Sequence, residues 1–476
     1  MKELTQKLSV REKIGYSLGD LAANLVFQTL VTYLAYFYTD IYGLNTKHAS
    51  AVILIVGLVA AFGFNPLIGA LADRTRSKWG KFRPWILWTA VPLGVVAILA
   101  FTTPGGSDQW KLIYAVITYS LLLLLYAANN LPYSALSGVI TGDMKERNSM
   151  SSYRFVAVMF SQFFVQVFMY NFIIKAGGGD KALGMSQVMT VLAIIGTVML
   201  LICFFTTKER VVPKPEQKST LKEDLSDLAK NKPWIIMLVT TTLVFITLAM
   251  KGGSYVYYFE NYVDKAGLTT FLEPFKKFLP TFENDTSLSL GVFNGGGILA
   301  GLVGIMLSQK FANKFGKRNA FMGSLFISTL FIICFYFLSA QSIGMIFLIQ
   351  ILHGFFYGIS TPILWTMIAD VADFSEWKTH RRATAIIFSA MMVGLKAGLS
   401  IGSSLVSWIL GSYGYVPKSA TGQTESAIHG TKMLVSIYPA IPFLLAVALL
   451  FLYEINKSKE IQIESDLKAR RIQLKD

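Results

Sequence analysis

Five charged or amide side chains interrupt long apolar stretches of this sequence. Asp20 and Asn24 are four residues apart, and this spacing places both side chains on one face of a helix. Arg154, Lys251 and Lys396 each stand in a different apolar stretch. A charge is costly in a hydrocarbon environment and is usually kept where it lines an interior pathway or binds a ligand. Each of the five is therefore a candidate binding residue.

The stretches around these residues have the length and composition of membrane-spanning helices. Hydrophobic residues make up 53% of the 476 residues and charged residues 15%, whereas a soluble protein carries about 25% charged residues. Each apolar block is roughly 20 to 28 residues long, enough to cross a hydrocarbon core of about 30 Å. The polar N-terminus leads into a full-length block, which argues against a cleavable signal peptide. Twelve spans are predicted, at 15–39, 47–73, 84–102, 112–140, 150–175, 186–206, 234–260, 288–309, 320–339, 343–369, 383–412 and 431–454.

The sequence thus predicts an all-α polytopic membrane protein, and its charges predict the topology. The net charge of +15 could reflect a nucleic acid or an anionic surface as a partner. The alternative is topological, because cytoplasmic loops collect Lys and Arg. Roughly three quarters of the 43 Lys and Arg residues fall on one side of the predicted spans, which favours the topological interpretation. We therefore expect a multi-pass protein of the bacterial cytoplasmic (inner) membrane, with both termini cytoplasmic, membrane lipids around it and no nucleic-acid partner.

The predicted spans fall into two sets of six. The longest predicted inner connection is rich in Lys, Glu and Pro, and basic turns containing Gly-Lys follow both the second and the eighth span. This repetition indicates two transporter-like halves joined by a linker. We expect an N-terminal six-helix bundle over 1–206, a cytoplasmic linker over 207–233, a C-terminal six-helix bundle over 234–456 and a cytoplasmic tail over 457–476. The outer insertion 265–287 has no predicted chemistry.

Seven short motifs occur in order along nearly the whole chain. They are GYSLGDLAANL at 15–25, FYTDIYGL at 37–44, GALADRTRSKWGKFRPW at 69–85, NNLPYSAL at 129–136, DMKERNSMSSYR at 143–154, YVYYFENYV at 255–263 and WTMIADVADFSEWKT at 365–379. Together they resemble the glycoside–pentoside–hexuronide cation symporters of the major facilitator superfamily, of which the melibiose carrier is the best-known member. The resemblance implies a major facilitator fold, with twelve transmembrane helices in two six-helix bundles. It also implies secondary transport of a small-molecule sugar or glycoside by alternating access, with no cofactor beyond a coupling Na⁺ or H⁺.

The resemblance further implies a set of substrate-binding side chains. A sugar needs donors and acceptors around its hydroxyls and an aromatic ring against its apolar face. In the melibiose carrier the positions that match Asn24, Asn130 and Arg154 contact sugar, and the position that matches Lys396 lies near the cation site. The alternative role is packing for the aromatic residues and bridging between helices for the Asn residues. The expected substrate-binding set is Asn24, Asn130, Tyr133, Arg154, Trp365, Lys396 and Lys251.

The second span departs from the pattern of the cation-coupled members of that family. Those members carry acidic residues in a run resembling Asp-x-x-x-Asp, where this sequence has Ala61 and Asn65. The acids of the fourth and first helices are likewise replaced, by Asn130 and Asn24. Sodium bound among oxygens normally needs a carboxylate, and proton binding needs a titratable group. The remaining candidates for a cation site or a counter-ion are Asp20 and Asn65, and we expect no metal centre.

One acid remains well inside the first half, and several cations lack a partner. Asp20 is a counter-ion candidate for Arg154 or Lys13, whereas Lys251 and Lys396 face few fixed negative charges. Buried uncompensated cations are costly unless a partner arrives. We therefore expect an acidic sugar such as a uronide as the substrate. The alternative is a neutral glycoside, with Asp20 paired to one cation and Lys396 neutral through burial, in a carrier that is either cation-coupled or a cation-independent facilitator.

Two other function classes are less consistent with the sequence. A lysolipid or lipid carrier would need a wide apolar cavity, which the Asn, Gln and Arg residues of the spans disfavour. An enzyme is not expected, because no metal-ligand cluster, nucleophile triad or phosphate loop occurs and the four His residues are scattered. Of these, His353 in the tenth span fits an interhelical hydrogen bond better than a substrate contact. We expect a monomeric transporter.

Charges at the inner ends of two spans form a candidate cytoplasmic gate. One group follows the second span and the other ends the tenth, and charge networks between such groups would hold the inner side closed until the halves rock. The alternative is that they are solvated loop charges, each worth little. The expected gate residues are Asp73, Arg74, Arg83, Asp370, Asp373 and Glu376.

Overall fold

Twelve long helices confirm the all-α polytopic architecture. A computed structural model describes residues 7–211, 228, 230–279, 281–379, 384–419 and 421–473, apart from the side chains of residues 73, 144, 384, 385 and 471–473. Within this part of the chain twelve helices are long and apolar enough to cross a membrane. They are α1 Val10–Ile41, α2 Thr46–Ala72, α3 Arg83–Ala100, α4 Asp108–Ile140, α5 Lys145–Gly177, α6 Lys181–Thr206, α7 Lys232–Asn261, α8 Asp285–Phe315, α9 Lys317–Phe337, α10 Ile343–Thr379, α11 Ile386–Ser412 and α12 Glu425–Leu450.

The chain forms two compact units. The first comprises Met1–Glu216, Phe275–Gly291 and Tyr415–Gly422, and the second comprises Gln217–Pro274, Val292–Gly414 and Gln423–Asp476. Two short segments that lie late in the sequence therefore pack within the first unit. The predicted bundle boundaries and the linker stay predictions, since most of 207–233 lies outside the described residues.

Close packing around α1 fixes the position of its polar residues. Ser9 caps the helix by accepting a hydrogen bond from the Glu12 backbone N–H at 3.2 Å. A side chain at Gly19 would overlap the ring of Tyr133 on α4 and the sulfur of Cys203 on α6. The absence of a side chain there lets the helices approach closely, as small residues do in membrane bundles. Asp20, next in the chain, is consequently held in the interior of the first unit and is only 3% exposed.

A π-helical turn interrupts α2, which the sequence did not predict. Residues Ala60–Phe64 form this turn, and it ends at Asn65-Pro66. Pro66 has no backbone N–H to continue the α-helical ladder. The Asn65 side-chain nitrogen donates to the Ala60 carbonyl oxygen at 2.8 Å, which satisfies a backbone group at the irregular turn. Asn65 therefore has a structural role in this helix.

The outer insertion is partly helical, and its later part, from Phe275 on, packs within the first unit. Residues Lys265–Phe278 form an amphipathic helix. Beyond it, the buried side chain of Asn171 on α5 donates to the Thr281 carbonyl at 3.1 Å and accepts from the Glu283 backbone N–H at 2.8 Å. The Ser287 hydroxyl donates to the same Asn171 oxygen at 3.2 Å. One buried amide thus holds the segment that leads into α8.

Candidate functional site

An ion pair between buried Asp20 and partly exposed Arg154 joins α1 to α5 within the first unit. The Arg154 Nε donates to an Asp20 carboxylate oxygen, and the Asp20 side chain is only 4% exposed. The Asn24 amide nitrogen donates to the other Asp20 oxygen at 3.1 Å and to the Asp20 carbonyl at 2.9 Å. Of the two counter-ions open to Asp20, the structure selects Arg154, because Lys13 pairs with Glu146 at 2.9 Å. Asp20 is thereby neutralised by a residue of the expected binding set.

The two terminal nitrogens of the Arg154 guanidinium are available to a ligand. Its Nη1 and Nη2 make no hydrogen bond to a described residue, and the side chain is 36% exposed. The guanidinium carbon lies 5.8 Å from the centre of the Tyr133 ring. Because Asp20 takes only Nε, the two terminal nitrogens still present a planar fork that matches a carboxylate or a pair of hydroxyls.

Two stacked tyrosines support this group. The rings of Tyr16 and Tyr133 are nearly parallel, with centres 4.6 Å apart. The Tyr133 hydroxyl donates to the Tyr16 carbonyl at 2.8 Å, and the Tyr16 hydroxyl donates to the Tyr133 carbonyl at 3.3 Å. Both residues are fully buried. Tyr133 is therefore a rigid packing residue beneath Arg154, which agrees with the packing alternative considered for the aromatic residues.

Two amide side chains of the first unit have unused hydrogen-bonding groups. Asn130 on α4 and Gln162 on α5 are half-buried, and neither side chain bonds to a described residue. Half-buried amides without protein partners are suited to a ligand with hydroxyl groups. Asn130 was expected in the binding set, whereas Gln162 was not included in it.

The second unit contains a buried lysine without a counter-ion. Lys251 on α7 is 4% exposed, and no described carboxylate or hydrogen-bond acceptor contacts its ammonium group. Its Nζ lies 5.7 Å from the centre of the Tyr255 ring. The Tyr255 hydroxyl in turn donates to the side-chain oxygen of Gln350 on α10 at 3.2 Å. Lys251 is therefore a buried amine with no partner among the described residues.

His353 on α10 makes the interhelical contact that the sequence favoured. Its Nδ1 lies 2.8 Å from the Ser328 hydroxyl oxygen and 3.1 Å from the Ser328 carbonyl oxygen on α9. The imidazole is buried and interacts electrostatically with Lys251. Nε2 bonds to no described residue.

The remaining expected binding residues lie elsewhere in the second unit. Trp365 on α10 is partly buried and packs against the hydrophobic core of that unit. Lys396 on α11 is half-buried. Their roles in binding stay predictions.

The second span has no group that could serve as an ion-binding carboxylate. Ala61 is fully buried, and Asn65 uses its amide nitrogen to bond the helix backbone. Among the described residues no group of three or more His, Cys, Asp or Glu side chains could hold a metal ion. A sodium site at the position typical of cation-coupled relatives therefore has no support in these side chains.

Arg83, expected in the gate, belongs to a tight contact within the first unit. The Glu209 carboxylate accepts hydrogen bonds from the backbone N–H groups of Lys81, Phe82 and Arg83 at 2.7 to 2.9 Å. The Arg83 guanidinium donates to the Phe204 carbonyl at 2.8 Å. The carboxylate thus lies at the N-terminus of α3, where backbone N–H groups and the helix dipole stabilise an anion.

Gly80 makes this contact possible, and its substitution should weaken it. Its φ of +109° lies in a region that favours glycine, and a side chain there would overlap the Glu209 carboxylate. We expect Gly80→Ala to lower the free energy of unfolding by about 1 to 3 kcal/mol, measured by denaturation in detergent. Gly69→Ala is the matched control, because a side chain at Gly69 meets no atom within 4 Å. Equal stability of the two variants would contradict the assigned contact.

Asp370, also expected in the gate, is bound within the second unit. The Lys317 ammonium donates to both Asp370 oxygens, at 2.7 and 2.9 Å, and lies 2.7 Å from Glu460 of the C-terminal helix Lys457–Gln473. The Trp377 indole donates to Asp466 at 2.8 Å. These ion pairs and this hydrogen bond therefore hold the C-terminal helix against the C-terminal end of α10.

Removing the Lys317 charge should loosen this end of the second unit. We expect Lys317→Met to lower the free energy of unfolding by about 1 to 3 kcal/mol, because two half-buried carboxylates lose their partner. Limited proteolysis should then cleave the C-terminal helix faster. Lys310→Met is the control, since Lys310 is exposed and forms no ion pair with a described residue. Unchanged cleavage of the Lys317 variant would show that the ion pairs do not hold the helix.

The other gate candidates stay predictions. The side chain of Asp73 lies outside the described residues. Arg74 is exposed, and Asp373 and Glu376 are half-buried. Sequence reasoning missed Glu209, whose partner lies more than a hundred residues away, and Tyr16, for which the four-residue spacing to Asp20 was an available signal.

The described fold is that of a polytopic α-helical membrane protein. The chain resembles a bacterial homologue of the human lysosomal transporter Spinster, with a TM-score of 0.63, 15% identity and coverage of 93% of this chain and 96% of that one. It also resembles a mutant form of the nucleoside transporter NupG, with a TM-score of 0.61, 13% identity and coverage of 93% and 100%. These similarities establish the major facilitator fold.

Sequence comparison specifies the family. The family model described as MFS/sugar transport protein matches residues 15–457. The chain is 35% identical to the inner membrane symporter YicJ of Escherichia coli, over 93% of this chain and 91% of that protein. It is 30% identical to the isoprimeverose transporter of Lactiplantibacillus pentosus, over 97% and 92%, and 28% identical to the glucuronide carrier protein homolog of Escherichia coli, over 97% of each. The chain belongs to the glycoside–pentoside–hexuronide symporter family of the major facilitator superfamily, and it is a multi-pass inner-membrane protein.

Proposed function

We propose that this protein is a secondary transporter of an acidic sugar, such as a uronide, by alternating access. The observation that carries the proposal is the geometry of Arg154. Its Nε is fixed by buried Asp20, while Nη1 and Nη2 have no partner among the described residues. A fork held in this way is preorganised for two parallel hydrogen bonds to a carboxylate.

The amides of the same unit support a sugar as the rest of the ligand. Asn130 and Gln162 are half-buried and do not bond to described residues, so both can meet hydroxyl groups. Asn24 holds the second Asp20 oxygen and thereby orients the ion pair. This supports a positioning role for Asn24 in place of the sugar contact expected for it.

A neutral glycoside is the second candidate, and one observation favours it. Asp20 already neutralises Arg154, so the pair needs no further anion to balance its charge. The fork would then bond to two neighbouring hydroxyls. Among the relatives, one is named for isoprimeverose and one for glucuronide, which fits either class. The free terminal nitrogens of Arg154 lead us to favour the acidic sugar.

Counterflow in proteoliposomes separates the two candidates without any ion gradient. Vesicles are loaded with unlabelled methyl glucuronide or methyl glucoside and are then diluted into a trace of the same labelled sugar. These two sugars share a ring and an aglycone and differ only in the carboxylate. We expect the glucuronide to exchange at least about tenfold faster, the effect of roughly 1.4 kcal/mol of differential binding. Faster exchange of the glucoside would overturn the acidic-sugar proposal, and protein-free vesicles give the background.

A further inference from the structure

Lys251 on α7 and His353 on α10 are two buried bases of the second unit. The Lys251 amine has no carboxylate or hydrogen-bond partner among the described residues, and its Nζ lies 5.7 Å from the centre of the Tyr255 ring. The Tyr255 hydroxyl donates to Gln350, which precedes His353 by about one turn on α10. Lys251 and His353 are at most 5% exposed. An ammonium charge buried in this way costs several kcal/mol unless something compensates it.

The hydrogen bonds of His353 leave one ring nitrogen open. The Ser328 hydroxyl donates to the His353 carbonyl at 3.3 Å, so Nδ1 is the donor towards Ser328, whose carbonyl oxygen lies 3.1 Å away. In that tautomer Nε2 carries the free lone pair, and it bonds to no described residue. The imidazole can therefore accept a proton or a hydrogen bond at Nε2 while α9 keeps its orientation fixed.

We propose that Lys251 and His353 together bind the transported proton, which makes this protein a proton-coupled carrier whose proton site lies on α7 and α10. The site takes over the role for which the second span has no acid, since Ala61 and Asn65 offer no titratable group. Two buried cations on these neighbouring helices would repel each other, so the two bases hold one proton at a time.

No described carboxylate contacts Lys251 or His353. On α7 itself the nearest titratable side chain is Tyr255, whose hydroxyl is engaged with Gln350 of α10. Helix α9 contributes the uncharged Ser328, and α11 contributes Lys396, which interacts with other groups. The carboxylates of α10 stand at its far end, where Asp370 is bound to Lys317.

This proposal rests on the proposed function for the net charge that is carried with each sugar. One proton bound at this site and one sugar carboxylate carry opposite charges, so their joint transport is electroneutral. The accumulation of sugar should then depend on the pH gradient and be independent of the membrane potential. A neutral glycoside carried with one proton would instead respond to both, so the two proposals fail in different ways.

The test uses purified full-length protein in proteoliposomes with an imposed gradient of one pH unit, acidic outside. We expect wild type to accumulate glucuronide up to about tenfold, the limit that one proton per sugar allows, with no change under a potassium diffusion potential. His353→Gln removes the imidazole base and keeps a hydrogen-bonding side chain beside Ser328. It should exchange glucuronide by counterflow within about threefold of wild type while accumulation falls to about onefold. Lys251→Met removes the amine, and its accumulation should also fall to about onefold. Lys310→Met, which alters an exposed lysine of the same unit, should accumulate normally.

Three results would overturn the proton site. The first is wild-type accumulation that does not respond to the pH gradient. The second is tenfold accumulation by His353→Gln or by Lys251→Met. The third is loss of counterflow in His353→Gln while its thermal melting matches wild type, which would make His353 a binding residue. If wild type exchanges only the glucoside, the acidic-sugar proposal fails, and the same comparison with glucoside still tests the proton site.

Discussion

Replacing Arg154 with lysine is expected to lower kcat/KM for glucuronide transport by about 10- to 100-fold, although the positive charge is retained. Lysine cannot form two parallel hydrogen bonds from a planar fork, and one or two charge-assisted hydrogen bonds are worth about 1.5 to 3 kcal/mol each. In addition, a lysine cannot use one nitrogen to hold Asp20 and two others to hold a ligand.

Initial rates of counterflow at several glucuronide concentrations measure this effect. Arg11→Lys is the matched control, because Arg11 is an exposed residue near the start of α1 with no ion pair among the described residues. It should transport at the wild-type rate. Wild-type kinetics for Arg154→Lys would show that only the charge matters, and the fork would then have no role in recognition.

Replacing Asp20 with asparagine is expected to cause the largest loss of stability of any single polar substitution in the first unit. It leaves the Arg154 guanidinium without its carboxylate, and breaking a buried pair on one side costs about 3 to 5 kcal/mol. The lower end of that range applies, because the Arg154 side chain is 36% exposed. Transport should also fall, since Asp20 holds the fork in place.

Denaturation in detergent, followed by the loss of monodisperse protein, measures the change in stability. The double variant Asp20→Asn/Arg154→Gln should recover part of the loss, because no unpaired charge remains. Asp108→Asn is the control, since Asp108 is exposed at the start of α4. If the double variant were less stable than either single variant, the two residues would not act as a pair.

The twelve spans and the fold could be predicted from the sequence because membrane helices are set by a local property. Hydropathy and length identify each span without knowledge of its neighbours. The candidate residues Asp20, Asn24 and Arg154 could be found for the same reason, since each breaks an apolar run. That Asn24 bonds to Asp20 follows from their four-residue spacing.

Contacts between distant parts of the chain could not be predicted in this way. The choice of Arg154 over Lys13 as the partner of Asp20 depends on how α1 packs against α5. The π-helical turn of α2 and the resulting backbone role of Asn65 require the three-dimensional structure. Glu209 binds a loop whose charged side chains are all basic. Its hydrogen bonds, however, come from backbone N–H groups, which no side-chain pattern reveals.

Equilibrium binding of matched glycosides to the purified protein tests the acidic-sugar proposal most directly. Isothermal titration calorimetry with methyl glucuronide and methyl glucoside gives both dissociation constants without any transport step. We predict that wild type binds the glucuronide at least about tenfold more tightly and that Arg154→Gln brings the two constants together. Equal or tighter binding of the glucoside by wild type, or a preference that survives in Arg154→Gln, would contradict recognition of a carboxylate by Arg154.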